Sequence, residues 1–207
     1  MKAISLLVAY TLTTLFSGSA GLTHDAPQKT ATLSSAASAT RRLDHDANIE
    51  TKYDGFNHET VVTLKKMSVT CGSAKGLQST LKNTCVSLQA SLHCPGVQLD
   101  YVRYAKLELV FEAKDWDARH PFDERELVVV ADGGQLKLGR MALAKQAMDT
   151  DRLVDVMKEV LEVSVPYQSF NRIARAQIVA MKVGKTMFEL KETNLAALRD
   201  LNNRVKP

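Results

Sequence analysis

The run Asp115-Trp116-Asp117-Ala118-Arg119-His120 gathers an indole, two acids, a guanidinium and an imidazole in one short stretch. Trp116 is the single tryptophan of the chain. An exposed indole beside charges stacks on a sugar ring or anchors a partner protein, so Trp116, Asp117, Arg119 and His120 are the candidate binding residues. The competing expectation is that Trp116 folds back over one end of a sheet while its charged neighbours stay solvated. A hydrolytic alternative sets His120 or Asp117 against a second carboxylate as general acid and base, which requires a deep pocket at that point.

Other chemistries lack their residues. Asp115, Asp117, Asp123 and Glu124 are interrupted by Arg119, His120 and Pro121, without the D-x-D-x-D-G spacing of a calcium loop. His93 and Cys94 are adjacent, and His24, His45, His58 and His120 are scattered, with no CxxC pair and no HExxH. No metal ligand set and no cofactor is expected. A G-x-S-x-G elbow is absent. The stretch Asp132-Gly133-Gly134 lies between two strand patterns and not ahead of a helix, which removes it as a phosphate cradle. Asp132-Gly133 is instead the favoured pair of a tight hairpin turn with positive φ, and a turn explains Asp132 without any partner.

Cys71, Cys85 and Cys94 form an odd set. One intramolecular disulfide and one remaining thiol are expected, with three pairings open. A Cys71–Cys94 bridge closes the longest loop and restricts the unfolded chain most, by about 3 kcal/mol on the entropic account, and is preferred on that ground. The remaining thiol either is buried or joins two chains, so the oligomeric state stays open. A cysteine-protease arrangement has no partner, because His93 is adjacent to Cys94 and neighbouring side chains seldom meet in the required geometry.

Elements must position these residues, and the first of them is an export signal. Residues 1–20 read as a signal peptide: Lys2, an apolar run Ile4 to Phe16, and small residues Gly18 and Ala20 before a cleavage site after Ala20. No later segment is apolar enough for a membrane span. A secreted or periplasmic chain follows. Residues 21–50 are rich in Ser, Thr and Ala and read as a flexible tether. Within it, Arg41-Arg42-Leu43 resembles the RxLR-type leader of oomycete secreted effectors, departing at the fourth position, where Asp44 stands. The full chain has a formal charge of +4, and removing Lys2 with the signal leaves +3. Its basic residues are interleaved with acids, so nucleic-acid binding is not expected.

Residues 51–207 are one domain's worth of chain, long enough to bury about 68–70% of its unfolded surface. Short alternating runs recur at Thr60 to Thr70, with a bulge in the middle, and at Val97 to Tyr104, Lys106 to Ala113, Glu126 to Ala131 and Gln135 to Leu138. Further runs follow at Val160 to Val165, Gln177 to Val183 and Lys185 to Leu190. Asp151 to Lys158 suggests a helical turn or two. Pro166 opens a helix with Tyr167, Phe170, Ile173 and Ala174 on one stripe. The last helix places Leu195, Leu198, Leu201 and Val205 on one side, capped by Thr193 or Asn194. The fold class is α+β: an antiparallel-sheet-dominated sandwich or barrel-like domain with two short helices late in the chain.

The segments YDGF (Tyr53 to Phe56), the ADGG turn, PYQSF, MKVG and FEL, spread over about Tyr53 to Val205, resemble a group of uncharacterised exported proteins of soil-dwelling bacteria. The Cys71 to Cys94 region departs from that pattern. The resemblance implies a bacterial exported domain and carries no activity. The expected function is a non-enzymatic binding or structural module of the cell envelope or extracellular space, with a protein or saccharide partner. An exported hydrolase near Trp116 and a secreted host-directed effector are the alternatives.

Overall fold

The computed structural model describes residues 48–72, 84–114, 120–149 and 156–205. The signal peptide, the tether up to residue 47, Trp116, Asp117 and Arg119, and residues 151–155 of the expected helical turn all lie outside them.

Among the described residues ten strands and two helices follow in order. They are β1 (Ile49–Asp54), β2 (Glu59–Cys71), β3 (Thr84–Pro95), β4 (Tyr104–Ala113), β5 (Glu126–Ala131), β6 (Gly134–Arg140), β7 (Ala142–Asp149), β8 (Val156–Val165), α1 (Tyr167–Arg175), β9 (Val179–Val183), β10 (Thr186–Glu189) and α2 (Glu192–Asn202). Every strand pair is antiparallel. Six strands form one sheet in the order β1-β2-β3-β4-β8-β7, and four form another in the order β10-β9-β5-β6. This is the expected α+β, sheet-dominated class with both helices late. The sheets do not close on each other, so the arrangement is sandwich-like.

The core follows from period-two alternation, which sends every second side chain to one face. On β3, Val86, Leu88, Ala90, Leu92 and Cys94 are fully buried, while Ser87, Gln89, Ser91 and His93 take the other face. Leu107, Leu109 and Phe111 of β4 and Leu161 and Val165 of β8 continue the buried face. The small sheet adds Leu127 and Val129, which pair across the ladder with Val183 and Met181. Phe170 and Ile173 of α1 and Leu195, Leu198 and Leu201 of α2 complete one contiguous core. Each such side chain contributes roughly 1.5–3 kcal/mol of burial. The chain crosses between sheets at buried Met141, whose N–H donates to the Arg125 carbonyl at 2.8 Å.

Local chemistry sets the ends of these elements. The ladder between β2 and β3 shifts register between Leu64 and Met67 and again between Ser68 and Thr70, which is the bulge the alternation foreshadowed. Asn194 sits at the third position of α2, not at its cap. Its Oδ1 accepts from the Lys191 N–H at 3.0 Å, and its Nδ2 donates to the Ser68 carbonyl at 3.0 Å, tying the helix to the bulged strand. Asp132 and Gly133 have φ of 47° and 78°, the two positive values of the tight hairpin turn.

Several expectations are corrected. Val97 to Tyr104 is no strand: Gly96, at φ 71°, turns the chain away after β3, and pairing resumes only at Tyr104. With no neighbouring strand, Val97 and Tyr101 are 73% and 60% exposed. Val156 to Lys158 belong to β8 and not to a helix, because Met157 pairs with Ala113 on one side and Met148 on the other. Asp132 does have partners. Its Oδ1 accepts the Gln177 and Ile178 N–H groups at 2.9 Å each, fastening the β5–β6 turn to the start of β9.

The disulfide joins Cys71 to Cys85, and Cys94 is a buried free thiol. The preferred Cys71–Cys94 bridge is excluded by register. Cys71 lies opposite Cys85, whereas Cys94 lies opposite Thr60 at the far end of the ladder. Nine residues of extended strand separate Cys94 from Cys85, roughly 30 Å. Loop entropy favours the longest loop only where the folded chain brings both ends together. Burial, with the Asp100 and Glu59 charges adding to it, pushes the Cys94 thiol pKa up.

Two outcomes follow. Under native conditions iodoacetamide leaves the oxidised protein unmodified; denaturation without reductant exposes one alkylated thiol, which peptide mapping assigns to Cys94. Asp132→Ala loses about 1–2 kcal/mol in urea unfolding, since two N–H groups lose their acceptor, whereas Asp132→Asn retains most of it.

Candidate functional site

Two hydroxyl–imidazole–carboxylate chains stand on opposite faces of the six-stranded sheet. The first contains the one described member of the expected site. His120 follows β4 and precedes the short 3-10 turn Phe122–Glu124. Its Nδ1 lies 2.7 Å from Glu159 Oε2 on β8, and its Nε2 lies 2.9 Å from the Thr186 hydroxyl on β10. The carboxylate fixes the tautomer: Nδ1–H donates to Glu159, and Nε2 accepts from Thr186. The His120 backbone N–H also donates to Glu159, at 3.2 Å, and the Arg125 Nε–H donates to the His120 carbonyl at 2.8 Å. The Phe111 ring packs against the imidazole at 4.3 Å.

His120 is 4% exposed and Glu159 is fully buried. Both ring nitrogens are engaged, and the side chain cross-links β8 of the large sheet to β10 of the small one. An imidazole engaged in this way acts as a structural tie between the two sheets. Trp116, Asp117 and Arg119 are outside the described residues, so of the expected set His120 alone is placed.

The second chain sits on the outer face. His93 of β3 has Nδ1 2.9 Å from Glu59 Oε1 on β2 and Nε2 3.1 Å from the Ser91 hydroxyl two residues earlier. Ser91 and His93 share a face because strand side chains alternate with period two. Val61 lies opposite His93 in the β2–β3 ladder, and Glu59 is two residues from Val61 on the same face of β2. Tyr104, paired with His93 on β4, stacks on the imidazole with centroids 4.4 Å apart and planes 14° apart. Its hydroxyl lies 3.1 Å from His93 Nδ1. Burial, reinforced by the Glu59 charge, raises the Tyr104 pKa. A cavity of about 150 Å³ opens on Ser91, His93, Lys106 and Glu108.

The third feature is the adjoining end of the sheet, where the β1–β2 turn meets the β3–β4 connection. Phe56 is 98% exposed at the tip of that turn, with Tyr53, Val97 and Tyr101 also exposed. The turn is nonetheless well tied. Asp54 Oδ1 accepts the Phe56 N–H at 2.9 Å, and Oδ2 accepts from Asn57 Nδ2 at 2.8 Å. These bonds, from the Asn57 side chain first, hold the Asp54 carboxyl below the usual range. The Gly96 N–H donates to the His58 carbonyl at 2.8 Å, and the Thr60 hydroxyl donates to the Gly96 carbonyl at 2.7 Å, so the two loops are laced together. A groove of about 450 Å³ runs beside Lys52, Tyr53, Asp54, Phe56 and Val61. Val61 also lines the Ser91 cavity, which makes the two features neighbours.

Comparison with known proteins assigns nothing. No protein-family model, no curated protein and no solved structure matches the chain.

Sequence reading missed Glu159, Glu59, Ser91 and Tyr104. Glu159 carried a signal: it interrupts the inward row Met157, Leu161, Val163 and Val165 of an alternating strand. Ser91 and His93 carried one as well, as alternating polar partners of Leu88, Ala90, Leu92 and Cys94. Glu59 carried none, since only strand register brings it to His93.

The burial of the His120–Glu159 pair yields a stability test. His120→Ala removes the imidazole N–H donor from the buried carboxylate, which keeps Arg125, 3.9 Å away, as its charge partner among the described residues. The variant is expected to lose about 3–5 kcal/mol in urea unfolding. The double change His120→Leu with Glu159→Leu recovers part of that loss, because it removes the buried carboxylate while Arg125 keeps its bond to the residue 120 carbonyl.

Proposed function

We propose that the chain is an exported binding module that engages a partner protein through the Phe56 end of its larger sheet. The observation that carries this reading is an aromatic side chain 98% exposed on a turn that four hydrogen bonds organise. An exposed phenyl ring has no role in the fold, and a preorganised loop loses little entropy when it binds. Tyr53 lines the same groove as Phe56, and exposed Val97 follows Gly96, which is bonded to the turn, so further apolar surface adjoins the ring.

The shape argues for a protein. A projecting ring needs a concave apolar pocket on the other side, which a folded partner supplies and a flexible saccharide does not enclose. Export is part of the same proposal. The signal-like residues 1–20 support it, and a disulfide at Cys71–Cys85 is suited to an oxidising compartment. No helix among the described residues is long and apolar enough to cross a membrane. The partner is therefore sought in the periplasm or outside the cell.

The test is a comparison of wild type with Phe56→Ala and Asp54→Ala against envelope and extracellular proteins and against a glycan array. Phe56→Ala is expected to weaken binding to one specific protein at least about 10-fold with no change in melting temperature. Asp54→Ala is expected to weaken it less, by loosening the turn while keeping the ring. Equal binding by wild type and Phe56→Ala overturns the reading, as does Phe56-dependent binding to glycans alone.

A further inference from the structure

The outer-face chain Ser91–His93–Glu59 has the order and spacing of an activated hydroxyl nucleophile. We propose that Ser91 is a catalytic nucleophile toward esters of small carboxylic acids, with His93 as its base and Glu59 as the positioning residue. This goes beyond the partner-binding reading and does not depend on Phe56.

The geometry sets the roles. Glu59 Oε1, 2.9 Å from His93 Nδ1, holds that nitrogen protonated and leaves the lone pair on Nε2. Nε2 lies 3.1 Å from Ser91 Oγ, within reach of the hydroxyl proton. The Glu59 and His93 side chains are 10% and 12% exposed, so their hydrogen bond is largely shielded from water. Tyr104 stacks on the imidazole and prevents it from rotating away from Ser91. The His120 chain has the same connectivity with shorter contacts but is closed in, whereas Ser91, 9% exposed, and His93 both line a cavity on the outer face.

The reaction balances without a further reagent. Ser91 Oγ attacks the ester carbonyl carbon and its proton passes to His93 Nε2. The oxyanion that forms faces Lys106, which lines this cavity directly opposite Ser91 on β4 and is itself paired with Glu162 at 2.5 Å. Collapse of the intermediate breaks the bond to the alcohol oxygen, which takes the proton from Nε2 and leaves acyl-Ser91. Water then attacks the acyl carbon, giving its proton to Nε2, and the carboxylic acid departs as Ser91 Oγ recovers that proton. The cavity volume of about 150 Å³ limits the acyl group to a few carbons.

The experiment treats the oxidised mature protein with a fluorophosphonate probe and with p-nitrophenyl acetate. The expected result is one phosphonyl adduct, mapped to Ser91, and a burst of one p-nitrophenolate per chain. Ser91→Ala abolishes both, and because it removes only a hydroxyl it keeps the fold even if a histidine variant does not. His93→Gln is expected to slow acylation at least about 100-fold. Glu59→Gln is expected to lower the acylation rate at saturating ester while leaving the half-saturation concentration unchanged, which a purely structural role would not do. The p-nitrophenyl ester of a long fatty acid gives no burst. Absence of an adduct, an adduct on another residue, or labelling of Ser91 at an unchanged rate in folded His93→Gln overturns the proposal.

Discussion

Glu159 stands at an inward position of β8 with no solvent exposure, in a row otherwise filled by Met157, Leu161 and Val165. A carboxylate there is costly unless hydrogen bonds and a cation satisfy it. His120 meets that demand with both its backbone N–H and its ring, and Arg125 approaches the other carboxylate oxygen. The path of the chain follows from this requirement. The segment leaving β4 must return to the interior at His120 before it enters β5, and Thr186 must close the far ring nitrogen from β10. One satisfied acid thereby couples the large sheet, the crossover and the small sheet.

The same three chemical types recur around His93, and their environment gives them a different use. Around His120 the hydroxyl comes from the opposing sheet, so the chain spans two layers and is sealed between them. Around His93 all members come from β2, β3 and β4 of one sheet and lie on its outer face, with Ser91 and Glu59 9% and 7% exposed beside a cavity. Reactivity requires access as well as alignment. The inner chain therefore acts as a tie, and the outer one is where the proposed chemistry sits. The Phe56 end, sharing Val61 with the outer cavity, concentrates both proposed roles on one side of the large sheet.

Legibility divided along physical lines. The arms of the β5–β6 and β9–β10 hairpins, β4 and both helices announced themselves because each has strong local periodicity and a turn or proline at its boundary. Of the strands that went unread, β1 is polar and mostly exposed at a sheet edge, and its first residues Ile49 and Glu50 fall within the segment read as tether. The other edge strand, β7, carries Ala, Lys and Gln along an exposed row and buries little that a pattern can report. Central β3 alternates except at buried Ser91, but Cys, Ser, Thr, Gln and His fill so much of the strand that its apolar row is weak as a local signal. Val97 to Tyr104 alternated too and formed no strand, since alternation becomes a strand only where a partner is present to accept its hydrogen bonds.

Local propensity and composition suffice for the sheet-dominated class, the late helices, the turn at Asp132-Gly133 and the presence of one disulfide among three cysteines. Which cysteines pair, that Asp132 holds Gln177 and Ile178, and that Glu59 and Glu159 each find a histidine depend on packing. Those partners lie 14, 45, 46, 34 and 39 residues apart in the chain. Strand register sets which of them meet, and register is a property of whole sheets packed on a shared core, to which no single stretch of residues has access.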